Sequence, residues 1–520
     1  MAGISTSNLL GPKEIRVIFE IANNHQGSFS HFEKILNDIY QAINPYKDQI
    51  EFVIKFQFRD IPSFVDESID PSTNKHIERF KQTQLTDQDW SKVFSLVKSY
   101  GLITMVTPFD EASIAKAISL NVDEFKIASC SCTEWSLLEG VSSTENHITV
   151  STGGRNLSEI DKIYSYLAHK IPNRFTIMHC CGIYPAPTKD LNIRTISKLK
   201  QRYPLAKIGY SGHEDPYDHS ISSLAISLGA SALERHIGKA DSENNINLNA
   251  YSISSENISS WLKSIKHTIT ALGTSKKQDY INEIELDSLL SLQRGVFISK
   301  SVIEGEKLDS SNCVFKFPIQ KNQISASEIT SRDLMFKANK NIDKGTRLTY
   351  DLANCSKYSY SILLEYVHNI RGIINEYGEY VAENSLLEIS HHYGIEKIFD
   401  YGCCLINIVN RSYCKKLIIM TENQEHPTQH HNVKEETFRI LHGQLELKLD
   451  GHIHNLKMGD EALVRSDVRH SFKAMTDCII EEISTTSVSE DSFYEDNLIN
   501  NLKREDRKTL VKLHPKLHSK

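Results

Sequence analysis

Two short stretches of the chain hold residue types that can bind a metal ion. In residues 207–214, K-I-G-Y-S-G-H-E, Ser211 and His213 stand two apart, and in residues 232–238, A-L-E-R-H-I-G, so do Glu234 and His236. Both stretches read as strands, in which alternate side chains share a face. Two neighbouring strands of this kind aim two imidazoles, a carboxylate and a hydroxyl into one pocket, a donor set suited to a divalent cation. A single histidine at a strand end is more often structural. Two at the same phase, near the C-terminal ends of successive strands, favour ligation.

Two lysines add a second kind of chemistry. Lys55 lies with Gln57 inside the apolar run F-V-I-K-F-Q-F, and Lys126 precedes Ser129 in F-K-I-A-S. A lysine in an apolar strand must meet an anion or bear a large desolvation cost. The plainer reading is that each snorkels to solvent or pairs with a nearby carboxylate. The sharper one adds hydroxyls from Thr107, Ser129, Ser151 and Ser211 and makes a phosphate and carboxylate site. Spacing alone thus reaches a metal-assisted enzyme acting on a small, highly charged anion.

Positioning these groups calls for a regular frame. Eight β-rich runs (16–22, 52–58, 102–109, 124–129, 147–153, 174–181, 207–212 and 232–238) alternate with segments of helical period (31–43, 88–100, 111–120, 134–141, 157–167, 193–203, 219–228 and 257–272). Eight strand-then-helix units of this length match an α/β fold, the (β/α)8 TIM barrel. An open doubly wound sheet is the alternative, but no G-x-G-x-x-G follows the first strand. In a barrel, reactive groups sit at the C-terminal ends of the strands. Glu20 lies near the end of the first run, Thr107 near that of the third, Ser151 near that of the fifth, and Tyr184 follows the sixth.

At 520 residues the chain exceeds one ordinary core. Its net charge of −7 gives no reason to expect nucleic acid or an anionic membrane surface as a partner. The ten cysteines include the pairs Cys180-Cys181 and Cys403-Cys404 but no CxxC spacing. No signal peptide opens the chain and no apolar run is long enough to span a bilayer. Reduced thiols and a cytoplasmic location are the expectation.

The motifs resemble the sialic acid (N-acetylneuraminate) synthase family, the phosphoenolpyruvate-dependent nonulosonate synthases. F-E-I-A-N-N-H-Q-G-S, V-I-K-F-Q, T-P-F-D, F-K-I-A-S, S-T-G-G, H-C-C-G-I-Y-P-A-P, I-G-Y-S-G-H and L-E-R-H stand in family order within residues 14–275. Residues 290–353, with R-G-V-F-I-S-K-S-V-I-E-G-E-K-L and N-K-N-I-D-K-G-T-R-L, resemble the small β-rich antifreeze-like (SAF) domain that follows the barrel in these enzymes. The resemblance implies condensation of phosphoenolpyruvate with an open-chain N-acyl hexosamine aldehyde. It assigns the divalent metal, Mn2+ or Mg2+, to His213 and His236. It assigns phosphoenolpyruvate to Lys55, Lys126, Thr107, Ser129, Ser151 and Ser211. Glu20 and Glu234 match carboxylates near the metal's water and the sugar, and Gln57 and Tyr184 match sugar-side positions. It also implies a domain-swapped homodimer. Four positions depart from the pattern: Ser131, Gly182 and Asn247 replace two acids and an asparagine, and Phe317 stands where an arginine contacts the sugar's acyl group. The reaction type survives these changes, and the identity of the sugar stays open. An aldolase or a 3-deoxy-heptulosonate-phosphate-type synthase on a phosphorylated aldose is the rival enzyme. A non-catalytic sugar-binding or regulatory protein is the rival outside catalysis.

The last third has another texture. Residues 356–385 read as a helical linker. Short alternating strands separated by turn signals then fill residues 386–488, the pattern of a small β-barrel. H-P-T-Q-H-H-N-V-K-E-E-T-F and G-D-E-A-L-V-R-S-D-V-R-H resemble the two motifs of sugar-isomerase-type cupins. That resemblance implies a possible second metal site from His431, Glu435 or Glu436, and His470, with Gln429 where the first histidine would stand. The module then either binds or isomerises a sugar or supports assembly, and the plain reading of its histidines is a solvated loop. Residues 489–520 read as a charged tail, an exposed helix or a disordered end.

Overall fold

The computed structural model describes residues 15–273, 282–379, 381–382, 385–488 and 490–512. Of the predicted segments, residues 14 and 274–275 of the barrel, 380 and 383–384 of the linker, and 489 and 513–520 of the tail lie outside these. The chain divides into two compact units near residue 280.

In the first unit, β1 (Ile15–Glu20), β2 (Ile50–Phe58), β3 (Ile103–Pro108), β4 (Glu124–Ile127), β5 (His147–Ser151), β6 (Phe175–Cys180), β7 (Lys207–Gly212) and β8 (Ala232–Gly238) pair in parallel, each with the next. β8 pairs back onto β1 and closes the barrel, and β9 (Ile253–Ser254) extends β8 at its end. The predicted runs begin and end within a few residues of these strands.

Period two explains both faces of the barrel wall. Val17 and Phe19 of β1 and Phe52, Ile54 and Phe56 of β2 point outward into the main core under the helices. Trp261, from helix Ile258–Leu272, meets Phe19 edge-on at 6.1 Å. Between them, Ile18, Val53, Met105, Met178 and Ala232 form a separate apolar layer inside the barrel. Two residues further along the same strands stand Glu20, Lys55, Thr107, Cys180 and Glu234. The register then sets Glu20 beside both Lys55 and His236, and Ser211 beside Glu234. One periodicity thus seals the barrel floor with methyl groups and stacks charge above it.

The second unit opens with a small β-rich module: β10 (Gly295–Ile298), β11 (Lys307–Leu308), β12 (Cys313–Lys316), β13 (Leu334–Ala338) and β14 (Ala353–Lys357). Val296, Ile298, Leu308, Ile324, Phe336 and Leu348 fill its core. Two antiparallel sheets follow. The first runs β22 (Glu461–Val464), β19 (Glu436–His442), β24 (Cys478–Thr485), β17 (Tyr413–Met420), β16 (Cys403–Asn410), β15 (Leu386–Ser390), β26 (Lys508–Lys512). The second runs β21 (His452–Lys457), β20 (Gln444–Leu449), β23 (His470–Ala474), β18 (Glu425–His430), β25 (Phe493–Tyr494). Phe438 and Ile440 of one sheet and Leu445, Leu447 and Phe472 of the other share a core, as in a β-sandwich or cupin-type barrel.

Two expectations are corrected here. Helix Ser359–Glu376 is no bare linker: Tyr366, Val367, Ile370 and Ile373 bury against Leu387, Ile389, Cys404 and Ile406 of the first sheet. Residues 490–512 are not a free tail either. β26 pairs antiparallel with β15, setting Leu387 beside Val511, and β25 pairs with β18. The charge of this segment hid the strand, in which Val511 alone turns toward the core beside Leu387 while Leu510 stays exposed. Among the described residues no helix is long and apolar enough to cross a membrane.

Candidate functional site

At the C-terminal mouth of the barrel four charged side chains interlock below the surface. Lys55 Nζ lies 2.5 Å from Glu20 Oε2 and 2.8 Å from Glu234 Oε1, and Lys126 Nζ lies 2.6 Å from Glu234 Oε2. All four are buried. Ser211 donates its hydroxyl to Glu234 Oε1 at 3.0 Å, the Ala22 backbone N–H donates to Glu20 Oε1 at 2.7 Å, and Gln57 Nε2 reaches Glu20 Oε2 at 3.4 Å. Burial opposes charge on Glu234, but Lys126 and Lys55 outweigh it and hold the carboxyl well below its usual range. Burial likewise opposes the Lys55 ammonium, and Glu20 and Glu234 hold it well above the usual lysine range. Burial pushes the Lys126 ammonium below the usual lysine range, against the pull of Glu234. Counted formally, the two lysines and two carboxylates cancel.

His213 and His236 stand beside it with ring centroids 5.4 Å apart, and Tyr184 lies 4.1 Å from the His213 ring. Burial, reinforced by each imidazole's charged or basic neighbours, pushes both histidines down to about 3. His213 Nδ1 lies 3.0 Å from the Cys181 carbonyl, which can only accept, so Nδ1 carries the proton and Nε2 keeps its lone pair. Two neutral imidazoles, one with a fixed tautomer, fit a divalent cation that takes its remaining ligands from water or substrate. No third His, Cys, Asp or Glu atom joins this pair in a tight cluster among the described residues.

The other predicted residues divide. Thr107 faces the interior near the end of β3, with Oγ1 buried and unpartnered among the described residues. Ser129 accepts the Gly153 N–H at 3.0 Å and lies 3.1 Å from Cys180 Sγ. A Cβ on Gly153 would sit 2.6 Å from that sulfur, so only glycine lets the loop approach so closely. Ser151 is buried on β5 and is not bonded to the lysine–carboxylate cluster. Of the departures, Ser131 is buried, Gly182 lines the cleft, Asn247 is exposed, and Phe317 is 62% exposed in the second unit.

Three groups escaped sequence reasoning. Arg235 and Glu214 pair in full burial, with Tyr210 donating to Glu214 Oε2 at 2.7 Å. This pair ties β8 to the turn after β7 from the residues adjacent to His236 and His213; its signal was the opposite charges in H-E and R-H at the outward phase. Tyr251 stacks edge-on to His236 at 5.1 Å from a loop with no sequence signature. Arg59, Lys75, Arg79 and Arg155 ring the mouth of a cleft of about 1390 Å³, where Asp190 is the one acid among the described residues.

Inside the cupin-like barrel, His431, Glu436 and His470 hold ligand atoms within 4.8 Å of one another, and this is the one such group among the described residues. His470 Nε2 lies 3.1 Å from Glu436 Oε1 and 3.3 Å from Gln429 Nε2. His431 Nε2 and Glu436 Oε1 are buried without hydrogen-bond partners. Between Glu435 and Glu436 the strand phase decides: Glu435 is exposed and Glu436 points inward. Lys434, two residues before it, pairs with Glu436 and lies 2.7 Å from Glu482. Of the expected set of His431, Glu435 or Glu436, and His470, the structure brings His431, Glu436 and His470 together, a donor set whose types suit a metal ion, with Lys434 already on the Glu436 carboxylate.

Comparison with known proteins matches two separate parts of the chain. The NeuB family model matches residues 51–277 and the cupin domain model residues 416–481. A solved structure of a putative spore coat polysaccharide biosynthesis protein E from Chromobacterium violaceum is 32% identical, covers 65% of this chain and 99% of its own, and superposes with a TM-score of 0.60. The chain belongs to the NeuB family. It is an enzyme of that family. The N,N'-diacetyllegionaminic acid synthase of Legionella pneumophila is 26% identical over 64% of this chain and 93% of its own length. The pseudaminic acid synthase of Helicobacter pylori is 28% identical over 44% of this chain and 66% of its own. The NeuB match ends near the end of the barrel, and the cupin domain matches a separate model.

Proposed function

We propose that the barrel condenses phosphoenolpyruvate with an N-acyl hexosamine-type aldehyde, releasing phosphate and forming a nonulosonic acid for surface polysaccharide synthesis. One observation carries this reading: Lys55 and Lys126 converge on a single carboxylate, Glu234, beside two neutral imidazoles. Phosphoenolpyruvate bears roughly three negative charges at neutral pH. The formally neutral lysine–carboxylate cluster does not match that charge alone, which supports a divalent cation, Mn2+ or Mg2+, on His213 and His236. When bound there it would supply Lewis-acid polarisation of the acceptor's aldehyde oxygen.

The chain's own residues bind and orient. Lys55, Lys126, Ser211 and Thr107 supply charge and donors for the phosphate and carboxylate, with Ser129 and Ser151 at the rim of the same site. Holding the alkene carbon against the aldehyde is worth several orders of magnitude in effective concentration. That carbon forms the new C–C bond, water adds to the adjacent carbon, and the tetrahedral product expels phosphate. Glu20 and Glu234 serve as proton acceptors and donors for that water and for the acceptor's hydroxyls, with Gln57 and Tyr184 along the sugar side. Residues 290–353 act, in this reading, as the SAF domain that covers the partner's site in a homodimer.

A phosphorylated acceptor is the second reading, and Arg59 favours it. Its Nε is buried without a partner, and its guanidinium lies 3.7 Å from the Phe109 ring and 4.1 Å from the Phe80 ring. The test is phosphate release from phosphoenolpyruvate by metal-reconstituted protein offered free hexosamines, diamino sugars and phosphorylated aldoses, with product mass read in parallel. Release dependent on an unphosphorylated amino sugar and lost in His236→Ala supports the synthase. Release with phosphorylated aldoses alone supports the second reading, and no release with any acceptor overturns both.

A further inference from the structure

The interior of the cupin barrel is more highly charged than a metal site alone requires. Its cavity, of about 310 Å³, is lined by five cations: Lys416, Lys434, Arg504, Arg507 and Lys508. Three acids face it: Glu388, Glu436 and Glu482. Each acid is already engaged. Glu388 takes Arg504 at 3.1 Å and Lys508, Glu482 takes Lys434 at 2.7 Å and Lys416 at 3.2 Å, and Glu436 takes Lys434. Five against three leaves an excess of two positive charges.

Arg507 is the cation left over. It has no carboxylate partner among the described residues, and its Nε and Nη1 are buried without hydrogen bonds. Its guanidinium rests 5.1 Å from the Tyr494 ring. Arg507 as a whole is half-buried, but two of its shielded N–H-bearing nitrogens stay unsatisfied unless an acceptor meets them, and its planar fork fits a carboxylate in two parallel bonds. The rest of the wall is suited to hydroxyls and to the flat face of a sugar: Asn407, Asn410, Ser390 and Ser492 with Tyr494 and Phe472. The volume is at the small end of ligand pockets. Three of the five, Arg504, Arg507 and Lys508, come from the last segment of the chain, the short helix Arg504–Arg507 and the strand that closes the first sheet through β26.

We propose that the cupin domain binds a small polyhydroxylated carboxylic acid, a sugar acid, whose carboxylate seats on Arg507. A cation held by His431, Glu436 and His470 adds positive charge to the same cavity and strengthens the preference for an acid. The proposal stands apart from the barrel's reaction, although the acid that reaction forms belongs to the same class.

The test is calorimetric titration of the full chain, with and without Mn2+, using D-glucuronate, N-acetylneuraminate, glucose and inorganic phosphate as probes. The expected result is binding of one or both sugar acids, none of glucose, and at least tenfold weaker binding in Arg507→Gln, with Arg507→Lys between the two. Phosphate release from phosphoenolpyruvate by the barrel stays unchanged in both variants, which separates loss of this site from loss of the synthase. Equal binding of glucose and glucuronate, binding of inorganic phosphate alone, or undiminished acid binding in Arg507→Gln each overturns the proposal. If Arg507→Gln unfolds, Arg507→Lys decides: acid binding as tight as in the unsubstituted chain overturns it.

Discussion

Thr107, one residue before the end of β3, faces the barrel interior with a buried hydroxyl that has no hydrogen-bond partner among the described residues. Leaving a buried hydroxyl unpaired costs about 1–3 kcal/mol, a cost that a methyl group in its place does not bear. Thr107→Val should therefore leave the melting temperature unchanged or raise it, while phosphoenolpyruvate affinity falls about tenfold. Affinity and melting temperature measured on one preparation check this; a destabilised variant with unchanged affinity would mean the hydroxyl is structural. The residues that carried charge were the legible ones. Lys55, Lys126, Glu20 and Glu234 announced themselves because a charge in an apolar strand needs a partner. The pairing itself was not legible, since it depends on which strands are neighbours and on their register. Arg507 was hidden for the opposite reason: it lies in a polar stretch, K-R-E-D-R-K-T, where a cation needs no explanation, while Arg59 stands just past the end of an apolar strand, where a loop cation is ordinary.

At the scale of the elements, β5 carries a built-in acid sensitivity far from the reactive face. His147 begins the strand and shares a hydrogen bond of 2.9 Å with Thr176 of β6. Burial, with the charges of Arg16, Lys207 and Arg174 added, pushes its imidazole down to about 3. The unfolded chain takes up this proton below its ordinary value near 6.5, and the folded chain does so only near 3. Stability is thus fully present above about 6.5 and lost as pH falls through that window, by up to about 1.4 kcal/mol per pH unit for this one group. Urea midpoints at pH 7, 5.5 and 4.5 should fall less steeply in His147→Gln than in the unsubstituted chain. Identical slopes would rule out His147 as a source. Strand phase was readable in the sequence here because both faces of a barrel wall are specified, apolar outward and layered inward. The final strand was not, because β26 is short and lies at a sheet edge, and its lysines mask the two apolar positions that pair with β15.

For the whole molecule, two compact units with separate cores put separate chemistry on one chain. The barrel's lysines and carboxylates cancel by formal count beneath a cleft lined by further arginines, and the cupin cavity likewise carries more cations than acids. A ligand that binds one folded unit and not its unfolded form raises that unit's stability by RT ln(1 + [L]/Kd), about 2.7 kcal/mol at a hundredfold excess over Kd. For a unit of this size that corresponds to a shift of roughly 5–10 °C. Scanning calorimetry should accordingly resolve two transitions. Phosphoenolpyruvate with Mn2+ should raise the one that His236→Ala renders unresponsive, and D-glucuronate should raise the one that Arg507→Gln renders unresponsive. If phosphoenolpyruvate moved both transitions together, the two sites would be coupled through folding, and the cupin would have to be treated as part of the synthase's own machinery. Movement of one alone would make it an independent receptor carried on the same chain.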